Sequence, residues 1–191
     1  PDQSKGMYQR AGVDSGTGGS LSFIGTVSPA GGNFQEPVTQ ATMDATGGFW
    51  GLSQDRADAK KYPAIDPLAY TGSVYDGFIS WKDRRKILGT LEEANGIDQT
   101  ISTIGLKKVP VDKYVLFQKG QTIDFCILQQ DAFHELDACT RPDRLAILNE
   151  AVQKLIDTPI NFSSDGMEDE ELKELIKTRF DELRQWWKDW N

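Results

Sequence analysis

Tyr62 and Phe133 stand in two distinctive strings, KYPAIDPL around the first and LQQDAFHELDAC around the second. Two aromatic rings brought together from separate elements can sandwich a planar base by offset stacking of their π faces. The same rings are also ordinary core material, and residue type alone leaves both readings open. Other groupings carry less. Cys126, His134 and Cys139 could ligate zinc, but their spacing matches no zinc template and no fourth ligand is evident. Two buried thiols and a surface histidine are the simpler account, and no metal site is assigned. Ser28, Asp66 and His134 supply the residue types of a hydrolase triad without the Gly-x-Ser-x-Gly elbow that would present the serine. The glycines of VDSGTGGS, Val13–Ser20, suggest a phosphate loop. No Lys followed by Ser or Thr completes the pattern, so the stretch reads as a turn.

These residues must be positioned by elements the sequence partly announces. Residues 1–11 read as the end of a helix, with Gly12 just beyond. The apolar run Leu21–Val27 predicts a strand, and Gly48–Leu52 a second. Between them lies SPAGGNFQEP, where Gly31 and Gly32 allow positive φ or close backbone approach, and Pro29 and Pro37 stiffen the flanks. Ser53 is placed to cap a short helix over 54–61. Pro63 and Pro67 predict an extended, rigid path over 62–68.

From Asp76 onward the apolar spacing becomes helical. Ile87, Leu91, Ala94, Ile97, Ile101 and Ile104 mark a first helix, broken at GLKKVP. A second helix is predicted from Val111 towards Gln129, with Gly120 as its weak point. A third begins with Thr140 as cap and Pro142 in its first turn, striped by Leu145, Leu148, Val152 and Leu155. A loop over 158–166 leads to a last helix from about Met167. Its acidic start, Glu168–Glu171, suits the helix dipole. Its buried face is predicted to hold Leu172, Leu175, Ile176, Phe180, Leu183, Trp187 and Trp190.

A chain of 191 residues can bury a real core in one or two domains. Its formal net charge of −8 argues against non-specific binding to nucleic acid or to an acidic membrane surface. Two cysteines do not make a disulfide framework, which fits a reducing compartment. No apolar run reaches the roughly 18 residues of a membrane span, so membrane association is expected only through partners.

The strings VSPAGGNFQEPVTQAT, KYPAIDPL and LQQDAFHELDAC, in that order, resemble the catalytic A subunit of V-type rotary ATPases and ATP synthases. The resemblance covers nearly the whole chain and matches the C-terminal part of that family. It implies an α/β remnant of a RecA-like nucleotide-binding domain over residues 1–72. It also implies an all-α helical bundle over 73–191 that faces the central stalk. It further implies ATP hydrolysis or synthesis coupled to H⁺ or Na⁺ transport in the intact complex, with ATP or ADP and Mg²⁺ as ligands. Implied partners are the non-catalytic B subunits and the central stalk, in a complex peripheral to the membrane. Tyr62 and Phe133 fall where the family builds its adenine pocket. Asp131 stands where the family more often has Asn, and Lys107 and Lys108 make basic a turn that is usually acidic there. The family's phosphate loop, its Mg²⁺-supporting Asp and its water-positioning Glu are not found in these residues, so the chain alone is expected to be inactive and to hold no ligand firmly. The alternative is a non-catalytic, protein-binding helical module derived from the same subunit.

Overall fold

The computed structural model describes residues 12, 13, 16, 18–69, 79–138, 141–160 and 166–190. The chain divides into two compact units, Pro1–Gly51 with Ala69–Val74, and Leu52–Leu68 with Tyr75–Asn191. The expected helix end over 1–11 and Thr140 itself lie outside the described residues; the cap of the helix that starts at Pro142 is Arg141, not the expected Thr140, and its side chain makes no cap bond.

Among its described residues the first unit holds one small antiparallel ladder, β1 (Gly12–Val13) on β2 (Ser20–Leu21). The strand expected over Leu21–Val27 therefore ends almost where it begins. Residues 22–29 have no ladder partner among the described residues, and an apolar run becomes a strand only when a neighbour takes its backbone groups. Gly48–Leu52 is likewise not a strand, since only Phe49 and Leu52 are bridge residues. Gly31 (φ 63°) and Gly32 (φ 70°) do take positive φ in a single 3₁₀ turn. A helix that the sequence reading missed follows, α1 (Pro37–Ala45), with Pro37 in its first turn. Proline before a run of TQATMDA was the available signal. Phe34 and Phe49 pack edge to face with centroids 5.9 Å apart.

The second unit is helical. In α2 (Gln54–Asp58), the Ser53 hydroxyl accepts from the Arg56 N–H at 3.3 Å, as expected of a cap. The helix stops at Asp58, short of the expected Lys61, because Lys60 turns left-handed (φ 57°). The Lys60 and Lys61 amides then bond back to the Ala57 and Arg56 carbonyls, the pattern of a Schellman cap with lysine in the usual glycine position. The Ser53 amide donates to the Ala64 carbonyl at 2.8 Å, and Leu52 bridges Ile65, closing the segment into a loop.

Four long helices carry the core: α3 (Trp81–Ile104), α4 (Val111–Ile123), α6 (Pro142–Asp157) and α7 (Asp169–Trp190). A short α5 (Glu135–Ala138) precedes α6. Ser80 caps α3, and Gly105 (φ 84°) ends it where the sequence predicts a break. Helix α4 packs against α3, α6 and α7. One apolar cluster joins Val109, Tyr114 and Val115 to Leu172, Ile176 and Phe180; a second joins Ile87, Leu91, Ile123 and Val152. Leu155 touches both. Ile104 and Leu183, expected on buried faces, are 45% and 38% exposed.

Two local features set how the helices meet. Gly120 is a contact point and not a weak point: it is buried, and a Cβ there would run into the Ala94 Cβ on α3. The predicted helix to Gln129 also changes character. After Ile123 it widens into a π-turn, Asp124–Leu128, closed by the Gln129 amide on the Asp124 carbonyl at 2.9 Å.

Asp124, at the head of that turn, has a side chain only 6% exposed. Its carboxylate accepts from Arg56 at 2.7 Å and pairs with Lys61 at 2.9 Å, while Gln129 adds a bond at 3.2 Å. Burial alone would raise this carboxyl, but the bonds and charges of Arg56 and Lys61 outweigh it and hold the group below its ordinary value. Two residues that precede Tyr62 in sequence are thereby fastened to the π-turn.

Gly120→Ala should cost about 1–3 kcal/mol of stability, because overpacking exceeds the helix-propensity gain of about 1 kcal/mol. Gly96→Ala, with open space around its Cβ, should instead gain roughly 0.5–1 kcal/mol. Opposite shifts in thermal midpoint are expected, and shifts of the same sign would show that the α3–α4 crossing is not close-packed. Asp124→Asn should cost about 3–5 kcal/mol near neutral pH, since it strands two cations. A carboxyl lowered in the folded state stabilises above its unfolded value, about 3.9 for Asp, and that contribution fades as pH falls through the folded value. The gap between parent and Asp124→Asn in urea midpoints should therefore narrow in acid. A gap independent of pH would mean that packing, not charge, secures the segment.

Candidate functional site

Tyr62 follows directly on the α2 cap, and its peptide bond to Pro63 is cis. Its carbonyl accepts the Gln130 amide at 2.8 Å, which ties this bend to the chain leaving the π-turn. Beyond Gln130, Asp131 organises the next turn. Its Oδ1 accepts the Phe133 amide at 2.9 Å, its carbonyl accepts the His134 amide at 2.9 Å, and its own amide donates to Asp137 at 3.1 Å. The residue that departs from the resemblance thus has a local use: it holds the backbone that presents Phe133.

Neither aromatic residue is core. Tyr62 is 55% exposed and Phe133 fully exposed. Both line one cavity of about 890 Å³, within the size range of small-molecule sites. The π-turn supplies Phe125 and Cys126 to its wall, and Gln129 and Gln130 add amide groups. A π-turn swings side chains off the regular helical register, and such turns recur at functional sites. Here it brings Asp124 onto Arg56 while Phe125 and Cys126 reach the cavity. Trp187 and Lys188, from the end of α7, complete the lining. Sequence reasoning assigned Trp187 only to a buried face, and missed the π-turn.

The other candidate groups do not assemble. His134 lines the cavity and Cys126 is a free, partly buried thiol, but among the described residues no three His, Cys, Asp or Glu side chains converge to hold a metal ion. Burial pushes the Cys126 thiol up to about 12, so it is inert as a nucleophile near neutral pH. Cys139 lies outside the described residues. At the basic turn, Lys107 pairs with Glu170 at 2.8 Å, and the Lys173 ammonium donates to the Leu106 and Lys107 carbonyls at 3.1 Å. Among the described residues no helix is long and apolar enough to cross a membrane.

Comparison with known proteins now adds a family. Residues 2–71 match the model of the ATP synthase alpha/beta family, nucleotide-binding domain. The V-type ATP synthase alpha chain of Borreliella burgdorferi is 38% identical over 160 residues, and that of Borrelia duttonii 37% identical over 161. These matches cover 82% and 83% of this chain and 28% of each relative, so the chain spans a little over a quarter of their length. Among solved structures, the ATP synthase subunit NeqB from Nanoarcheaum equitans has a similar fold, with a TM-score of 0.66 at 17% identity over 81% of this chain and 39% of that one. The fold is that of an ATP synthase subunit, mostly helical, and over 82% of its length the sequence is similar to one part of the V-type ATP synthase alpha chains.

Proposed function

We propose that this chain works as part of the catalytic A subunit of a V-type rotary ATPase or ATP synthase, and that the Tyr62–Phe133 cavity receives the adenine base of its nucleotide. The observation that carries the reading is that two aromatic side chains, far apart in sequence and both exposed, line one cavity. Large aromatic surface left in water is costly unless something covers it. A purine is planar, and stacking on it is worth about 1–3 kcal/mol per base in protein sites. The Gln129 and Gln130 amides offer donors and acceptors for a base edge.

In this reading residues 1–72 contribute to a RecA-like nucleotide-binding domain, and residues 73–191 form the helical domain directed at the central stalk. The assembled motor couples ATP hydrolysis or synthesis to H⁺ or Na⁺ transport. The chain meets the membrane only through B and stalk subunits on the cytoplasmic side. Mg²⁺ would neutralise phosphate charge in that motor. The described residues gather no metal-ligating cluster, and the part they play is to bind and orient the base. The sequence has no Gly-rich loop ending in Lys and Ser or Thr, so these 191 residues cradle no phosphates.

The purified chain should release no phosphate from ATP, and steady release surviving further chromatography overturns that expectation. Adenosine, AMP and ATP should all bind with roughly millimolar affinity, about −4 kcal/mol. They should perturb the amide resonances of Gln130 and Phe133 in a titration followed by NMR. Tyr62→Ala and Phe133→Ala should each weaken binding by about tenfold, the loss of one stacking partner. Unchanged affinity in both variants would remove the base from this cavity.

A further inference from the structure

The cavity has a wall that belongs to neither aromatic string. We infer that the C-terminal turn of α7 is part of the base site, with Trp187 as a third ring against the ligand and Arg184 as the residue that positions it. The inference rests on the adenine reading above and extends it to a coupling between ligand binding and the docking of α7.

Trp187 is 7% exposed and lines the cavity together with Phe125 and Cys126 of the π-turn. It lies one helical turn beyond Arg184, so the two share a face of α7. Arg184 is the polar fastener on that face. Its Nη1 donates to the Thr122 hydroxyl at 2.9 Å, and its Nη2 to the Gln118 side-chain oxygen at 3.2 Å. Asp181 Oδ1 accepts from the same nitrogen at 2.6 Å. Gln118 in turn donates to the Tyr114 hydroxyl at 2.9 Å, inside the apolar cluster. A chain of hydrogen bonds thus runs from the core of α4 through Arg184 to the turn that carries Trp187.

The last turn of a helix ordinarily opens more readily than its middle. Here that turn supplies a cavity wall, and the ligand can contact Trp187 only while α7 is docked. A ligand that binds the docked form better must shift the population towards it. Reciprocally, anything that loosens α7 must weaken the ligand by the same factor.

Adenosine is the probe, used with the full 191-residue chain. Intermolecular NOEs are expected from its H2 or H8 proton to the Trp187 indole. Amide hydrogen exchange over residues 184–190 should slow at saturating adenosine. Arg184→Met, which leaves every cavity side chain in place, should weaken adenosine by about fivefold to tenfold and remove the exchange effect. Trp187→Leu should weaken binding similarly and Trp187→Phe should restore most of it. If Trp187→Leu does not fold, the NOE and exchange measurements on the unmodified chain decide. NOEs to Tyr62 and Phe133 without any to Trp187, with exchange at 184–190 unchanged, would overturn this inference and leave the base site standing. No adenosine binding at all would overturn the base site, and this inference with it.

Discussion

Asp124 keeps its charge in the interior, and the second unit is arranged around that fact. A buried carboxylate without partners would be driven to protonate. This one remains anionic because Arg56 and Lys61 reach it from the segment that also carries Tyr62. The ion cluster therefore does more than add stability. It fastens Leu52–Leu68 to the helices with which that stretch forms one compact unit. Ion pairs at the surface, such as Lys107–Glu170 or Lys86–Asp157, contribute little by comparison, since water screens them.

The π-turn is the geometric counterpart of that charge cluster. A regular α-helix from Val111 to Gln129 would have rotated its last turn differently, and one face could not have served both tasks. The single extra residue in the turn lets Asp124 meet Arg56 while Phe125, Cys126 and Gln129 border the cavity. Asp131 continues the work by accepting two amide bonds and holding Phe133 in water. The polar loop around this exposed phenylalanine keeps its backbone fixed.

Two buried lysines show the same economy elsewhere. Lys119 donates to the Ile156 and Thr158 carbonyls at the end of α6, and Lys173 to the Leu106 and Lys107 carbonyls of the turn after α3. Each donates to carbonyls at a helix or turn end, where backbone donors are fewer. Burial lowers the Lys119 ammonium from its usual value. These contacts link sequence-distant ends of the bundle and hold α4 among its neighbours.

The sequence by itself determined the helical part and its punctuation. Apolar spacing located α3, α4, α6 and α7, and Ser53, Gly105 and Pro142 mark ends because caps and breaks act within a few residues. Family strings marked Tyr62 and Phe133 without saying where their rings point. Tertiary structure alone decided the rest. Leu21–Val27 has the apolar alternation of a strand, but strand formation requires a partner, and its own residues do not encode one. Gly120 reads as a helix weakness until Ala94 is seen against it. The π-turn depends on Asp124 meeting cations 63 and 68 residues away, a distance at which local propensity carries no information. Trp187 belongs to a buried stripe by spacing, and only the docking of α7 makes it the wall of a cavity. Local rules follow the covalent chain, whereas a site is made by groups that the chain keeps far apart.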